Sequence, residues 1–143
     1  MIREELDPRL QTIGLTHAPD NATPGSYELT VPRHFALLGL HEYWGNTSFR
    51  FQFTVDVLVV SHTDWETFRA GNHDPEGHDW GPRPHLGAHY GPKGPWTERL
   101  GPLMGLGDRW WYVSPRRPTL PIAEEVTTDV RQYAVPAMRQ RTT

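Results

Sequence analysis

Apolar and polar residues alternate most regularly between Ser48 and Val60. Phe49, Phe51, Phe53, Val55, Val57 and Val59 fall on one side of that segment, and Arg50, Gln52, Thr54 and Asp56 on the other. Period two over such a length predicts a β-strand with one face in the core and one wet, at least until Leu58 and Val60. Ser26 to Val31 repeats the scheme on a smaller scale, with Tyr27, Leu29 and Val31 opposite Glu28 and Thr30. Phe35 to Trp44 is a longer apolar run, and the polar Gly45-Asn46-Thr47 after it suits a hairpin tip. Arg109 to Val113 predicts a further short strand, closed by Pro115 and Pro118.

The period changes at the two ends of the chain. Leu6, Leu10 and Ile13 recur at offsets of four and three, which predicts a helix over Glu4 to Ile13. Asp7 is expected to cap it, Pro8 to be its first helical residue and Gly14 to be the left-handed stop. His17 to Gly25 is rich in turn formers and reads as a link. A last helix is expected from about Thr119 to Pro121 onward. Its apolar stripe is Ile122, Val126, Val130 and Tyr133, with Glu124 and Glu125 near the positive end of the helix dipole. Pro136 should stop it and leave residues 137–143 as a frayed tail. Between the strands and that helix, Gly71 to Gly107 holds nine glycines and six prolines in 37 residues, so a long loop is expected there. Trp96, Leu100, Leu103 and Met104 are placed to form a helical turn or two near its end.

Together these elements predict an α+β fold in one domain, residues 1–136. It has an N-terminal helix, an antiparallel sheet of about four strands, a long Gly/Pro/His-rich loop, and a C-terminal helix packed on one sheet face. A length of 143 residues suits a single core. Only 36% of residues are hydrophobic, but six are Trp, so large rings should supply much of the packing. The lack of cysteine rules out disulfides, thiolate zinc sites, iron–sulfur clusters and cysteine nucleophiles. Fourteen basic against 17 acidic residues give a net charge of -3, which provides no field to draw nucleic acid or an anionic membrane. No apolar run approaches the ~20 residues of a membrane span. The opening Met-Ile-Arg-Glu-Glu lacks the apolar core of a signal peptide, so a cytoplasmic protein is expected.

In this order the pieces resemble the bacterial domain-of-unknown-function family 4304. The resemblance rests on the opening helix ending in Gly14-Leu15, the strand at Tyr27 and the segment Ser48-Phe49-Arg50-Phe51-Gln52-Phe53-Thr54-Val55. It continues through Trp96-Thr97-Glu98-Arg99-Leu100, Asp108-Arg109-Trp110-Trp111 and the final helix closing at Pro136. It implies the fold type and a bacterial origin, and it brings no activity with it.

Three groups of residues have the chemistry for function. The wet side of the main strand lines up Arg50, Gln52 and Asp56, with His41 of the preceding strand beside them. That row presents a guanidinium, an amide, a carboxylate and an imidazole to a ligand, or an acid/base pair to a substrate. The adjacent Trp110 and Trp111 must point to opposite sides of a strand, leaving one ring partly exposed as a binding anchor; Trp110 is the candidate. The long loop carries His73, His78, His85 and His89 among carboxylates, the ligand types of a divalent transition metal, though at spacings of no named motif. Ser61-His62-Thr63-Asp64 holds the residue types of a hydrolase triad, but sequence neighbours do not converge as a triad must.

Two readings follow. The first is a small non-catalytic binding or accessory protein, immunity-like or complex-forming, that meets a protein partner or small ligand through the polar sheet face and the loop, without a cofactor. The alternative is a metal- or His-dependent enzyme whose site lies between the 71–107 loop and the sheet, with His41, His73, His78 and Asp74 as ligands or general base.

Overall fold

A computed structural model of the chain describes residues 2–19, 25–43, 45–47, 51–116 and 118–143. The fold is α+β, as the periodicities predict, but the antiparallel sheet has six strands rather than about four. They are β1 (Leu15–His17), β2 (Ser26–Leu29), β3 (His34–Glu42), β4 (Phe51–Ser61), β5 (Trp96–Arg99) and β6 (Trp111–Val113). The strands β1 to β5 lie in sequential order. β4 is the spine of the sheet: β3 pairs along one edge, while β5 and β6 share the other, opposite Asp56–Val59 and Phe51–Phe53 respectively. β1 and β5 come from segments that lack an alternating run of their own. They are strands because β2 and β4 offer them free edges.

The helix α1 (Ile2–Thr12) begins before Pro8 rather than at it. Asp7 therefore does not cap it; its carboxylate instead accepts from the Tyr27 hydroxyl and pairs with His17 Nε2 at 3.1 Å. Burial, followed by this carboxylate, pushes the Tyr27 phenol well above its ordinary range. Gly14 takes the left-handed conformation (φ 93°) expected of the helix stop. Helix α2 (His62–Gly71) fell outside the sequence reading. Its signal is two apolar residues, Trp65 and Phe68, and a cap: Ser61 accepts a hydrogen bond from the Asp64 backbone N–H at 3.0 Å. After the single turn α3 (Leu100–Leu103), the chain ends in α4 (Thr119–Asp129), a π-helical turn (Val130–Ala134) and α5 (Val135–Gln140).

Residues 137–140 are thus helical, where a frayed tail over 137–143 is expected from the sequence. The π turn breaks the α hydrogen-bond register just before Pro136, which falls at the start of a new α segment where no N–H partner is needed. The helix runs on, and Met138 is fully buried.

Each sheet face has its own cover. Leu38, Phe53, Val55, Val57 and Trp111 face α1 and the C-terminal helices, meeting Leu6, Leu10, Val126, Val130 and Met138 in the main core. On the opposite face Leu37 and Leu58 are also fully buried. There a second cluster of Phe35, Trp65 and Phe68 packs with Val60, Trp80 and Tyr90, and it ties α2 and the loop over 72–95 onto the sheet. Polar ties help: Trp65 Nε1 donates to Gly81 O at 3.2 Å, and Arg69 grips Asp79 through Nη2–Oδ2 at 2.6 Å and Nε–Oδ1 at 3.2 Å. A stretch of this face near His41, Asp56 and Arg99 stays open.

Candidate functional site: a polar cleft between sheet and loop

The site follows from register. Asp56 on β4 stands opposite Gly39 on β3 and Arg99 on β5, and His41 stands opposite Thr54, one step along the same face. Residues paired in this way share a face, so the imidazole, carboxylate and guanidinium come together from three strands. His41 Nδ1 lies 2.9 Å from Asp56 Oδ2. A carboxylate only accepts, so this bond holds the proton on Nδ1 and leaves Nε2 of the neutral ring as an acceptor. Asp56 Oδ1 pairs with Arg99 Nε at 3.5 Å, and Arg99 Nη1 donates to Asp108 Oδ2 at 2.8 Å. The result is a chain of four groups, His41–Asp56–Arg99–Asp108, with Asp56 the most enclosed and Asp108 half exposed.

The segment before β6 is fixed from below. Thr54, fully buried, donates its hydroxyl to the Arg109 carbonyl at 2.5 Å. That places Trp110 over the site, its ring edge-on to His41 at 6.1 Å and beneath the Arg99 guanidinium at 5.7 Å. The far wall is the loop. A Cβ on Gly39 would come within 2.7 Å of Leu86 Cδ1, so the absence of a side chain there provides the seat for Leu86. Between this wall and the strands lies a cleft of ≈ 450 Å³, lined by His41, Asp56, Gly87, His89, Arg99 and Asp108 among others.

Of the residues singled out by sequence, His41, Asp56 and Trp110 meet here. Gln52 does not line the cleft; its backbone holds the hairpin tip, bonding Asn46 through N–Oδ1 at 2.7 Å and O–Nδ2 at 2.9 Å. Arg50 lies outside the described residues. The loop histidines separate. His89 reaches the cleft, while His78 faces Asp74 and Glu76 at 3.7 Å each on the exposed tip. Among the described residues, no three His, Asp or Glu side chains converge as a metal site needs, so His73, His78, His85 and His89 are not brought together as ligands.

Sequence reasoning missed Arg99, Asp108 and Gly39 as parts of the site. A lone Gly inside an apolar strand is a legible sign of close approach, and Gly39 carried it. Arg99 had no such sign, because its place depends on a pairing across 43 positions. The chain matches no family model, no curated protein and no solved structure. Among the described residues, no helix is long and apolar enough to cross a membrane.

Proposed function

We propose that this is a non-catalytic binding protein of the bacterial cytosol, immunity-like or complex-forming, which takes a polar group of its partner into the cleft. The observation that carries this reading is the pre-assembled His41–Asp56–Arg99–Asp108 chain on the cleft floor. A part-exposed ion pair stabilises a fold by only ~0.2–1 kcal/mol, so stability alone is weak grounds for holding three such contacts in register. The array offers acceptors at His41 and Asp108 and donors at Arg99, with Trp110 as an aromatic anchor beside them, the composition of an interface hot spot. Likeness to family 4304 belongs to the same proposal.

The test is partner capture by the intact protein, followed by affinity measurement with variants that should fold normally. Trp110→Ala and Arg99→Ala are expected to weaken the complex at least about tenfold each, the loss of a hot-spot residue. The remote Arg131→Ala should bind as the parent does. If all three bind equally, the cleft is not the contact surface.

One observation favours a second reading, an enzyme of this same cleft. His41, oriented by Asp56 and with no hydrogen bond to Nε2 among the described residues, has the form of a general base. A panel of ester, amide and phosphodiester substrates tests it. Turnover that His41→Ala abolishes and Trp110→Ala leaves in place supports the enzyme; turnover that survives His41→Ala rejects it.

A further inference from the structure

A second cleft, of ≈ 430 Å³, shares no lining residue with the first and lies where α2, the loop end before β5 and the last residues of the chain meet. Its character is the reverse. Lys93, the chain's sole lysine, and Arg141 both line it, against one carboxylate, Asp64. Arg3, Arg9, Arg69, Arg83, Arg99 and Arg109 each have a carboxylate partner. Lys93 and Arg141, like Arg33, Arg116, Arg131 and Arg139, have none among the described residues, and of these six only Lys93 and Arg141 line this cleft.

Arg141 is nonetheless held in place, its guanidinium 4.6 Å from the centre of the Trp96 ring. A cation stacked on an aromatic face keeps its edge N–H groups free for an oxyanion and loses little rotamer freedom when one arrives. His34 lines the same cavity, fixed by the bond between Nδ1 and Pro32 O at 2.9 Å. The first turn of the ten-residue α2 lines it as well, adding the positive end of its dipole. The remaining wall is mixed: Ser61, Thr67 and Asn72 are polar, while Val59, Val60 and the rings of Phe68 and Trp96 supply an apolar part.

We infer that this cleft binds a small organic phosphate. Its dianion sits between Lys93 and Arg141, and its organic body lies against Phe68 and Trp96. Two cations from separate segments suit a dianion better than a single carboxylate, which one arginine satisfies bidentately. In a protein of net charge -3, a local excess of positive charge at a cavity acts against the general field, so anions bind here rather than over the surface at large.

The test titrates phenyl phosphate and, separately, inorganic phosphate into the full isotope-labelled chain at low salt, followed by NMR. Saturable shifts are expected at residues 61–68, 93–96 and 141, with phenyl phosphate binding the tighter. Lys93→Ala and Arg141→Ala, both exposed positions, should raise Kd about tenfold each while leaving the melting temperature unchanged. Asp64→Asn should lower Kd several-fold, because it removes the repelling carboxylate; a residue acting only through packing would not produce that gain. Shifts mapping elsewhere, or affinity unmoved in Lys93→Ala and Asp64→Asn, would overturn the site. Inorganic phosphate binding as tightly as phenyl phosphate would overturn the organic ligand.

Discussion

Gly39 and Asp129 show how single residues are used for different ends. Gly39 gives up strand-forming side-chain contacts so that Leu86 of the loop can sit against β3 and wall the cleft. Asp129, at the end of α4, carries a carboxyl that burial pushes above its ordinary value of 3.8, with Arg109 offsetting part of the effect. A carboxyl whose folded-state pKa is raised makes the folded state relatively more stable when protonated, and that advantage is lost as pH rises through the folded pKa. Asp129→Asn should therefore raise the melting temperature at pH 7. The gain should fade as pH falls and vanish below about pH 3.8, where both states are protonated. Melting curves of the two proteins across pH 3 to 7 check it, and a gain that persists at the acid end would contradict the assignment. At this scale the legible features were side chains whose partners lie on a neighbouring or adjacent strand: His41 beside Asp56, and Trp110 turned away from Trp111.

At the scale of elements, the long periodic segments were legible and the short ones were not. The alternation through Phe51 to Val60 and the stripe of Val126 and Val130 reflect burial along one strand or helix, so they appear in the linear pattern. β1, β5 and α2 are short, and their state depends on the edge or surface that receives them. Two of the prolines inside helices misled for a related reason. Pro8 and Pro136 each lack the N–H that continues a helix, yet tertiary packing outweighs the ~3 kcal/mol of an interior proline in α1, and the π turn relieves it before α5. Met138→Ala measures how firmly the last turn is held. With Met138 fully buried, a loss of roughly 2–5 kcal/mol is expected in denaturant unfolding. A change below about 0.5 kcal/mol, typical of surface sites, would mean that the end is frayed after all.

Across the whole molecule, the sheet carries a different cover on each face, and the loop over 72–95 is the less conventional of the two. It is built on rings: Trp65 and Phe68 stack at 5.8 Å, and Tyr90 meets Trp65 edge-on at 5.4 Å and Trp80 at 4.7 Å. Trp65 is fully buried at the centre. Trp65→Ala should cost about 3–5 kcal/mol and also remove hydrogen-exchange protection from the loop, while β3 and β4 keep theirs. Since the same loop carries Leu86, partner affinity should fall with it. If stability drops but the loop amides remain protected, the rings are not what holds the loop down. The fold class, which residues of β4 share a face, and the candidates His41, Asp56 and Trp110 were legible in sequence alone, because each depends on local periodicity or adjacency; the face expected to be wet is instead largely covered, with Thr54 fully buried. The tertiary structure alone decided which cations stand beside a carboxylate and which have none among the described residues, that the loop histidines do not converge, and that Arg99 and Asp108 complete the cleft. These are relations between segments tens of residues apart, set by strand register and by which surface a short segment finds, and a linear pattern carries no trace of them.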